Sequence, residues 1–169
     1  MSTLKTYDAL PALVIPTPSR PTMPKDYGVP ESSKGMLTWD WVSERMSNAM
    51  VYWIGTLHSA NRPHLMPNWG AWVDNYFMFG THPATLKARN LARDPHISIG
   101  VQDGQHGVVI EGVVGQTTNK DLLARMDDEY ERKYKMREEA PAAYVVIPHK
   151  VIALGDFPNT PTRWIFEGG

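Results

Sequence analysis

The segment Arg62 to Ile99, RPHLMPNWGAWVDNYFMFGTHPATLKARNLARDPHISI, restricts the fold more than any other part of the chain. Two apolar runs, His64 to Val73 and Tyr76 to Phe79, flank Asp74-Asn75, a pair suited to the left-handed backbone of a tight hairpin turn. They are expected to form two antiparallel strands. The second strand leads through Gly80-Thr81-His82-Pro83 into a short helix, with Pro83 placed in the first helical turn, where its missing N–H is not needed. Asp94-Pro95 predicts the helix end, because a residue that precedes proline is driven out of helical geometry. A third strand over His96 to Val101 follows. A strand, a hydroxyl-bearing turn and a helix start with Lys87 and Arg89 nearby suit an anion site, since free N–H groups and the helix dipole favour negative charge. A solvated basic helix face is the simpler reading of the same spacing.

The flanking sequence extends the pattern. Thr38 is a predicted N-cap for a helix to Asn48 whose Trp39, Val42 and Met46 share a face. Met50 to Leu57 is dense in β-branched and aromatic residues and predicts a buried strand. Val108 to Gln116 predicts a long strand in which Gly112 and Gly115 mark a bulge or a sharp bend, the sign of a curved, closed sheet. Thr118 to Asp121 resembles a capping box opening a helix to about Tyr134, with Leu122, Met126, Tyr130 and Tyr134 as its apolar stripe. Arg125 with Glu129, and Asp128 with Arg132, have the spacing of exposed ion pairs. Tyr144 to Ile147 with Val151 to Leu154 predicts a strand pair or one interrupted strand, and Thr162 to Phe166 the last strand. Strands of this spacing with inserted helices predict a mainly β, α+β chain, a Greek-key barrel with two to three peripheral helices.

Residues 1–35 form a separate region, and 36–169 the barrel domain. The first 34 residues hold six of the 14 prolines, which bars a helix or an interior strand there. This region is either a disordered tail or an arm lying across a partner subunit, anchored by Leu10, Leu13, Val14, Ile15 and Tyr27.

Composition removes several function classes. The 169 residues contain no cysteine, so disulfides, thiolate metal sites and cysteine nucleophiles are excluded. A net charge of -1 gives no electrostatic reason to expect nucleic acid or an anionic membrane as partner. No apolar run suggests a leader or a membrane span, which makes a cytoplasmic protein the expectation. There is no GxGxxG, Walker or GxSxG pattern, and the six histidines have no metal-ligand spacing, so no metal site is expected.

FGTHPATLKARNLARDPHISI, preceded by RPHLMPNWGAWVD and followed by GVVIEGVVG, resembles the pyridoxamine 5′-phosphate oxidase-like, flavin-binding split-barrel family. It is closest in pattern to the branch that includes reductases dependent on the deazaflavin coenzyme F-420, and the resemblance spans Trp39 to Phe166. It implies a homodimeric split β-barrel oxidoreductase holding FMN, or alternatively the deazaflavin, with cofactor sites at the subunit interface and a small organic substrate. Carried over by position, Thr81, Thr85 and Lys87 would hold the cofactor phosphate. Leu86 stands where many members have arginine, and Arg89 is the candidate to compensate. Met66, Pro67, Asn68 and Trp69 would line the ring edge, with the Asn68 amide as donor because Pro67 has none. Arg163 would reach the cofactor from the last strand across the interface. Arg62 and Arg93 add cations for the acidic tail of a deazaflavin.

The resemblance fails where substrate would bind. Ala71, Asn159 and Pro161 stand near positions where true pyridoxamine phosphate oxidases have lysine, arginine and histidine, so that activity is expected to be absent. No catalytic acid is assigned; Tyr52, His64 and Asn68 are weak candidates for a proton relay. A carrier of flavin or of a haem-like ligand without catalysis is the alternative reading.

Overall fold

In the computed structural model, which describes residues 4–167, eight strands form one antiparallel sheet. They are β1 (Tyr52–Leu57), β2 (Pro63–Asn68), β3 (Ala71–Val73), β4 (Tyr76–Phe79), β5 (His96–Asp103), β6 (His106–Thr117), β7 (Ala143–Leu154) and β8 (Thr162–Ile165). Three helices accompany them: α1 (Trp39–Asn48), α2 (Leu86–Arg93) and α3 (Lys120–Tyr134). Strand order is β2-β1-β5-β6-β7-β4-β3, with β8 beside β7. β2 and β3 are thus the two ends of the path, yet only Trp69-Gly70 separates them in the chain. That two-residue step brings the sheet edges together and curls the sheet into a split β-barrel.

The expected hairpin is present, but its first arm is not one strand. Asp74 and Asn75 have φ 51 and 68, as the turn requires. The run His64 to Val73 divides at Trp69-Gly70, so that β2 pairs with β1 and only β3 pairs with β4. The division is held from far along the chain. Gly70 N–H donates to the Tyr134 hydroxyl at 3.1 Å, that hydroxyl donates back to Gly70 O at 3.2 Å, and Trp69 stacks on the Tyr134 ring. Any side chain at Gly70 would strike the Phe77 ring. Asn75 also serves the packing of α1, its Oδ1 accepting from Trp39 Nε1 at 2.8 Å and Ser43 Oγ at 3.0 Å.

All four residues of β4 are buried because it has a core on each side. Phe77 and Phe79 face the barrel interior with Tyr52, Ile54 and Trp164, while Tyr76 and Met78 face Leu122, Met126 and Tyr130 of α3. β7 is one strand, and its two halves take different partners, β4 at Tyr144 to Val146 and β8 at Lys150 to Ala153. Opposite it the register with β6 shifts between Glu111 and Gly112, leaving His149 as the extra residue. The bulge is therefore on β7, and Gly112 is the β6 residue that faces it, where a side chain would strike Ile147 O. Gly115 has another cause: the N-terminal segment runs over it, and a side chain there would collide with Tyr7.

Three local expectations are corrected. Pro83 lies outside α2, whose N-cap is Thr85, with its hydroxyl accepting from Ala88 N–H. Asn119 rather than Thr118 caps α3, since its Oδ1 reaches both Asp121 and Leu122 N–H at 3.0 Å. Arg125 pairs with Asp74 across to the hairpin and not with Glu129, which instead takes Arg132 at 2.7 Å; Asp128 takes Arg137.

The proline-rich segment lies along its own barrel. Thr6 bridges Gln116, and Ser19 bridges Arg163. Leu10, Leu13 and Ile15 pack on the cores, Tyr27 meets Phe157 edge-on, and Val14 is 82% exposed. Arg20 fixes the far end by donating to four main-chain carbonyls: Ser32 at 3.0 Å, Asn159 and Pro161 at 2.9 Å and Lys34 at 2.7 Å.

Lys133 joins three elements at the barrel seam. Its ammonium donates to Ala49 O at 3.1 Å, Tyr52 Oη at 2.8 Å and Gly70 O. Burial presses its pKa from 10.5 to about 8. Lys133→Met should cost about 2–4 kcal/mol in denaturant unfolding, because three acceptors lose their donor. A lysine pKa lowered by folding makes the unfolded chain bind more protons between pH 8 and 10.5, so the stability advantage over K133M should grow across that window. A flat difference would show that the ammonium is not depressed. Arg20→Ala should act locally, speeding amide exchange at Ser19 and Arg163 by about tenfold, which corresponds to ~1.4 kcal/mol, while leaving the global midpoint almost unmoved.

Candidate functional site

A cleft of about 460 Å³ opens at the seam, walled by Val51, Pro67, Asn68, Trp69, Gly80, Tyr130, Met136 and Glu138. Its position follows from the fold: β2 ends at Asn68, β4 ends one residue before Gly80, and the loop after α3 closes the third side. Asn68 links these parts. Its Nδ2 donates to Trp69 O at 2.6 Å and Gly80 O at 3.4 Å, while its Oδ1 accepts from Lys87 Nζ.

Lys87 is the buried cation of the site, 6% exposed, with its Nζ 5.5 Å from the centre of the Phe79 ring. Burial lowers its pKa, and the carboxylate of Glu138 opposes that shift. Glu138 moves the other way: burial raises its pKa, the Tyr130 hydroxyl bonded to it and the charge of Lys87 counteract this, and Asp127 adds to it. Burial also raises the pKa of Tyr130. The site is a cleft with an apolar rim of Val51, Trp69 and Met136, which are 45%, 44% and 44% exposed, and a polar side of Asn68 and Glu138, with the Lys87 ammonium bonded to Asn68.

The residues expected to bind a cofactor divide into four groups. Asn68, Pro67 and Trp69 line the cleft, and Lys87 is joined to them through its bond to Asn68. Thr81 and Thr85 sit at the start of α2 with hydroxyls 3.1 Å apart, and Thr85 is engaged as the helix cap. Met66 and Arg89 are exposed beside these groups, on β2 and α2, outside the cleft wall. Arg163 lies elsewhere. It pairs with Ile152 on β7, eight residues beyond the Tyr144 that faces Phe79, or ~26 Å along the strand. Its Nε meets Ser19 Oγ at 3.3 Å.

The additional cations are also placed. Arg93 donates to Leu57 O at 2.5 Å, and Arg62 is exposed in the β1–β2 turn. Of the relay candidates, Tyr52 is fully buried and donates to Met46 O, which removes it from any ligand. His64 Nδ1 lies 3.3 Å from Thr56 Oγ1. Among the described residues no group of three or more histidine or acidic side chains converges as a metal site would require. Glu138 and Lys133 were not singled out from the sequence, and Tyr130 was expected only as part of the apolar stripe of α3. For Lys133 a signal existed, a lysine seven residues after Met126 on the inward stripe of α3.

The Lys87 ammonium is the group here whose charge suits a phosphoryl group. The apolar rim suits a flat ring. Glu138 is the one group whose charge opposes an anion there.

Among solved structures, a conserved hypothetical protein from Mycobacterium tuberculosis is 18% identical, with a TM-score of 0.62 over 79% of this chain and 88% of that one. An F420 reductase is 16% identical, with a TM-score of 0.53 over 64% of this chain and 94% of that one. A heme binding protein from Mycobacterium smegmatis is 16% identical, with a TM-score of 0.57 over 69% of this chain and 53% of that one. No curated protein sequence matches significantly. The family model described as pyridoxamine 5′-phosphate oxidase matches residues 39–154, from the start of α1 to the end of β7. The chain belongs to the pyridoxamine 5′-phosphate oxidase family.

Proposed function

We propose that the protein is a cytoplasmic oxidoreductase that holds FMN, or the deazaflavin coenzyme F-420, in the seam cleft and exchanges a hydride with a small organic substrate. The observation that carries this reading is the buried Lys87 bonded to Asn68, a residue of the cleft wall. Family membership and the likeness to an F420 reductase support it. When bound, the cofactor supplies the hydride chemistry. The chain's own residues bind and orient. Lys87 and Asn68 would neutralise and direct the phosphoryl end, and Pro67 and Trp69 would fix the ring at the rim. No side chain of the cleft is assigned as a catalytic acid.

A homodimer belongs to the same proposal. Trp53, Leu65, Val109 and Ile165, which are 45%, 60%, 42% and 48% exposed, share the outer sheet face. The register gives a continuous cross-strand row Pro67, Trp53, Gly100, Val109, Ile152, Arg163 on that face. Two copies packed face to face through this row would bring Arg163 of one towards the cleft of the other, a role it cannot fill within one chain.

Pyridoxine phosphate is not the proposed substrate. Ala71 is fully buried and Pro161 offers only its carbonyl, which together with that of Asn159 is taken by Arg20.

One observation favours carriage of a haem-like ligand instead. His96, with its side chain 73% exposed, has Nδ1 held by Asp94 Oδ1 at 2.7 Å, which leaves Nε2 for a metal; it borders a separate groove of about 530 Å³. The spectrum of whatever copurifies separates the readings: a flavin or deazaflavin band that bleaches with reductant and recovers with an acceptor supports the enzyme, and a Soret band supports the carrier. Lys87→Ala should weaken FMN or F-420 binding by about 1.5–3 kcal/mol in a fluorescence titration. An unchanged dissociation constant would remove Lys87 from the site. The purified protein should not turn over pyridoxine 5′-phosphate. Sedimentation should give a dimer that Trp53→Glu splits; a monomeric wild type would overturn the shared-site arrangement.

A further inference from the structure

Glu138 stands where a ligand's anionic group would meet Lys87, and the chain works to keep it there. Asp127, itself buried, accepts at one oxygen from both Glu138 N–H at 3.0 Å and Glu139 N–H at 3.2 Å. Lys135 and Glu139, on either side, adopt φ 60 and 49, a left-handed backbone that costs a non-glycine residue energy. A strained loop tied by a buried carboxylate therefore delivers the Glu138 carboxyl onto Gly80, which has no room for a methyl group because of it. The charged and titratable groups facing that carboxyl are Lys87 from α2, and Tyr130 and Asp127 from α3; Asn68 from β2 is neutral.

We propose that Glu138 is an internal counter-ion and specificity-determining residue of the cleft, competing with the ligand's phosphoryl group for Lys87, so that an anionic ligand enters only when Glu138 is protonated or withdrawn. The inference rests on the reading that Lys87 holds the cofactor's phosphoryl end. A carboxylate and a dianionic phosphoryl sharing one buried ammonium repel each other, and one of the acids must then take a proton or leave. The raised pKa of Glu138 makes protonation the less costly response as pH falls. An uncharged ring ligand meets no such conflict. The selectivity therefore concerns charge and not shape.

The test compares FMN with riboflavin, which has the ring and no phosphate, in fluorescence titrations of wild type, Glu138→Gln and Lys87→Ala at pH 8 and pH 5.5. E138Q should bind FMN about tenfold more tightly than wild type at pH 8, with riboflavin affinity equal in the two proteins. The gap should narrow at pH 5.5, because a carboxyl with a raised pKa takes up its proton at higher pH than an ordinary glutamate. Thermal melts check folding, and Glu138→Ala is a second variant with the same expected direction. Equal or weaker FMN binding by E138Q at pH 8, or an equal gain for riboflavin, overturns the proposal. FMN binding that K87A leaves unchanged overturns the Lys87 reading beneath it, whereas K87A-sensitive binding without a gain in E138Q overturns Glu138 alone. Absence of FMN binding in all variants overturns both.

Discussion

The buried ammonium of Lys133 holds the architecture at its least regular point. An unpaired charge in such a place would cost several kcal/mol, yet here it meets oxygens from the end of α1, from β1 and from the Gly70 peptide. Those oxygens are ones that regular pairing cannot satisfy. Ala49 follows the last turn of α1, where carbonyls lack partners, and Gly70 lies between two strands that end on opposite edges of the sheet. One long side chain from α3 thus answers the unmet acceptors of the seam, and the adjacent Tyr134 answers the Gly70 N–H. The cleft exists because the edges stop there without fusing.

Local rules read from the sequence were reliable wherever the determining partner is near in the chain. The Asp74-Asn75 turn, the Thr38 cap and the end of α2 before Pro95 depend on residues a few positions away or on the backbone itself. The single strand expected over His64 to Val73 failed because its break is enforced by Lys133 and Tyr134, more than sixty positions distant, and by the shape of the Phe77 ring. Apolar residues run on through the break, from Trp69 to Val73, so hydropathy had no means of marking it. The same distance effect misassigned the ion pairs of α3: Arg125 finds Asp74 because α3 packs over the hairpin.

Within the site, legibility followed residue type. Lys87 was readable as a cation after a strand-to-helix turn, whereas Asn68 was named only through the family resemblance, as a ring-edge residue, and its side chain is bonded to Lys87. Glu138 was not readable, because it lies in a loop whose course is set by a buried aspartate on the preceding helix, and an acidic loop residue carries no signal of its own. The electrostatics differ from a plain cationic cradle accordingly. Burial disfavours the charge on Lys87, burial disfavours the charge on Glu138, and each charge partly restores the other. Neither group can be understood separately.

Arg20 seats the proline-rich arm through main-chain oxygens alone, and none of its four bonds reads a side chain. The tether is therefore blind to amino-acid identity beneath it. Exchanges at Ser32, Lys34 or Asn159 would leave the grip intact so long as the backbone keeps its course, which lets this surface drift in composition while the strap stays fastened.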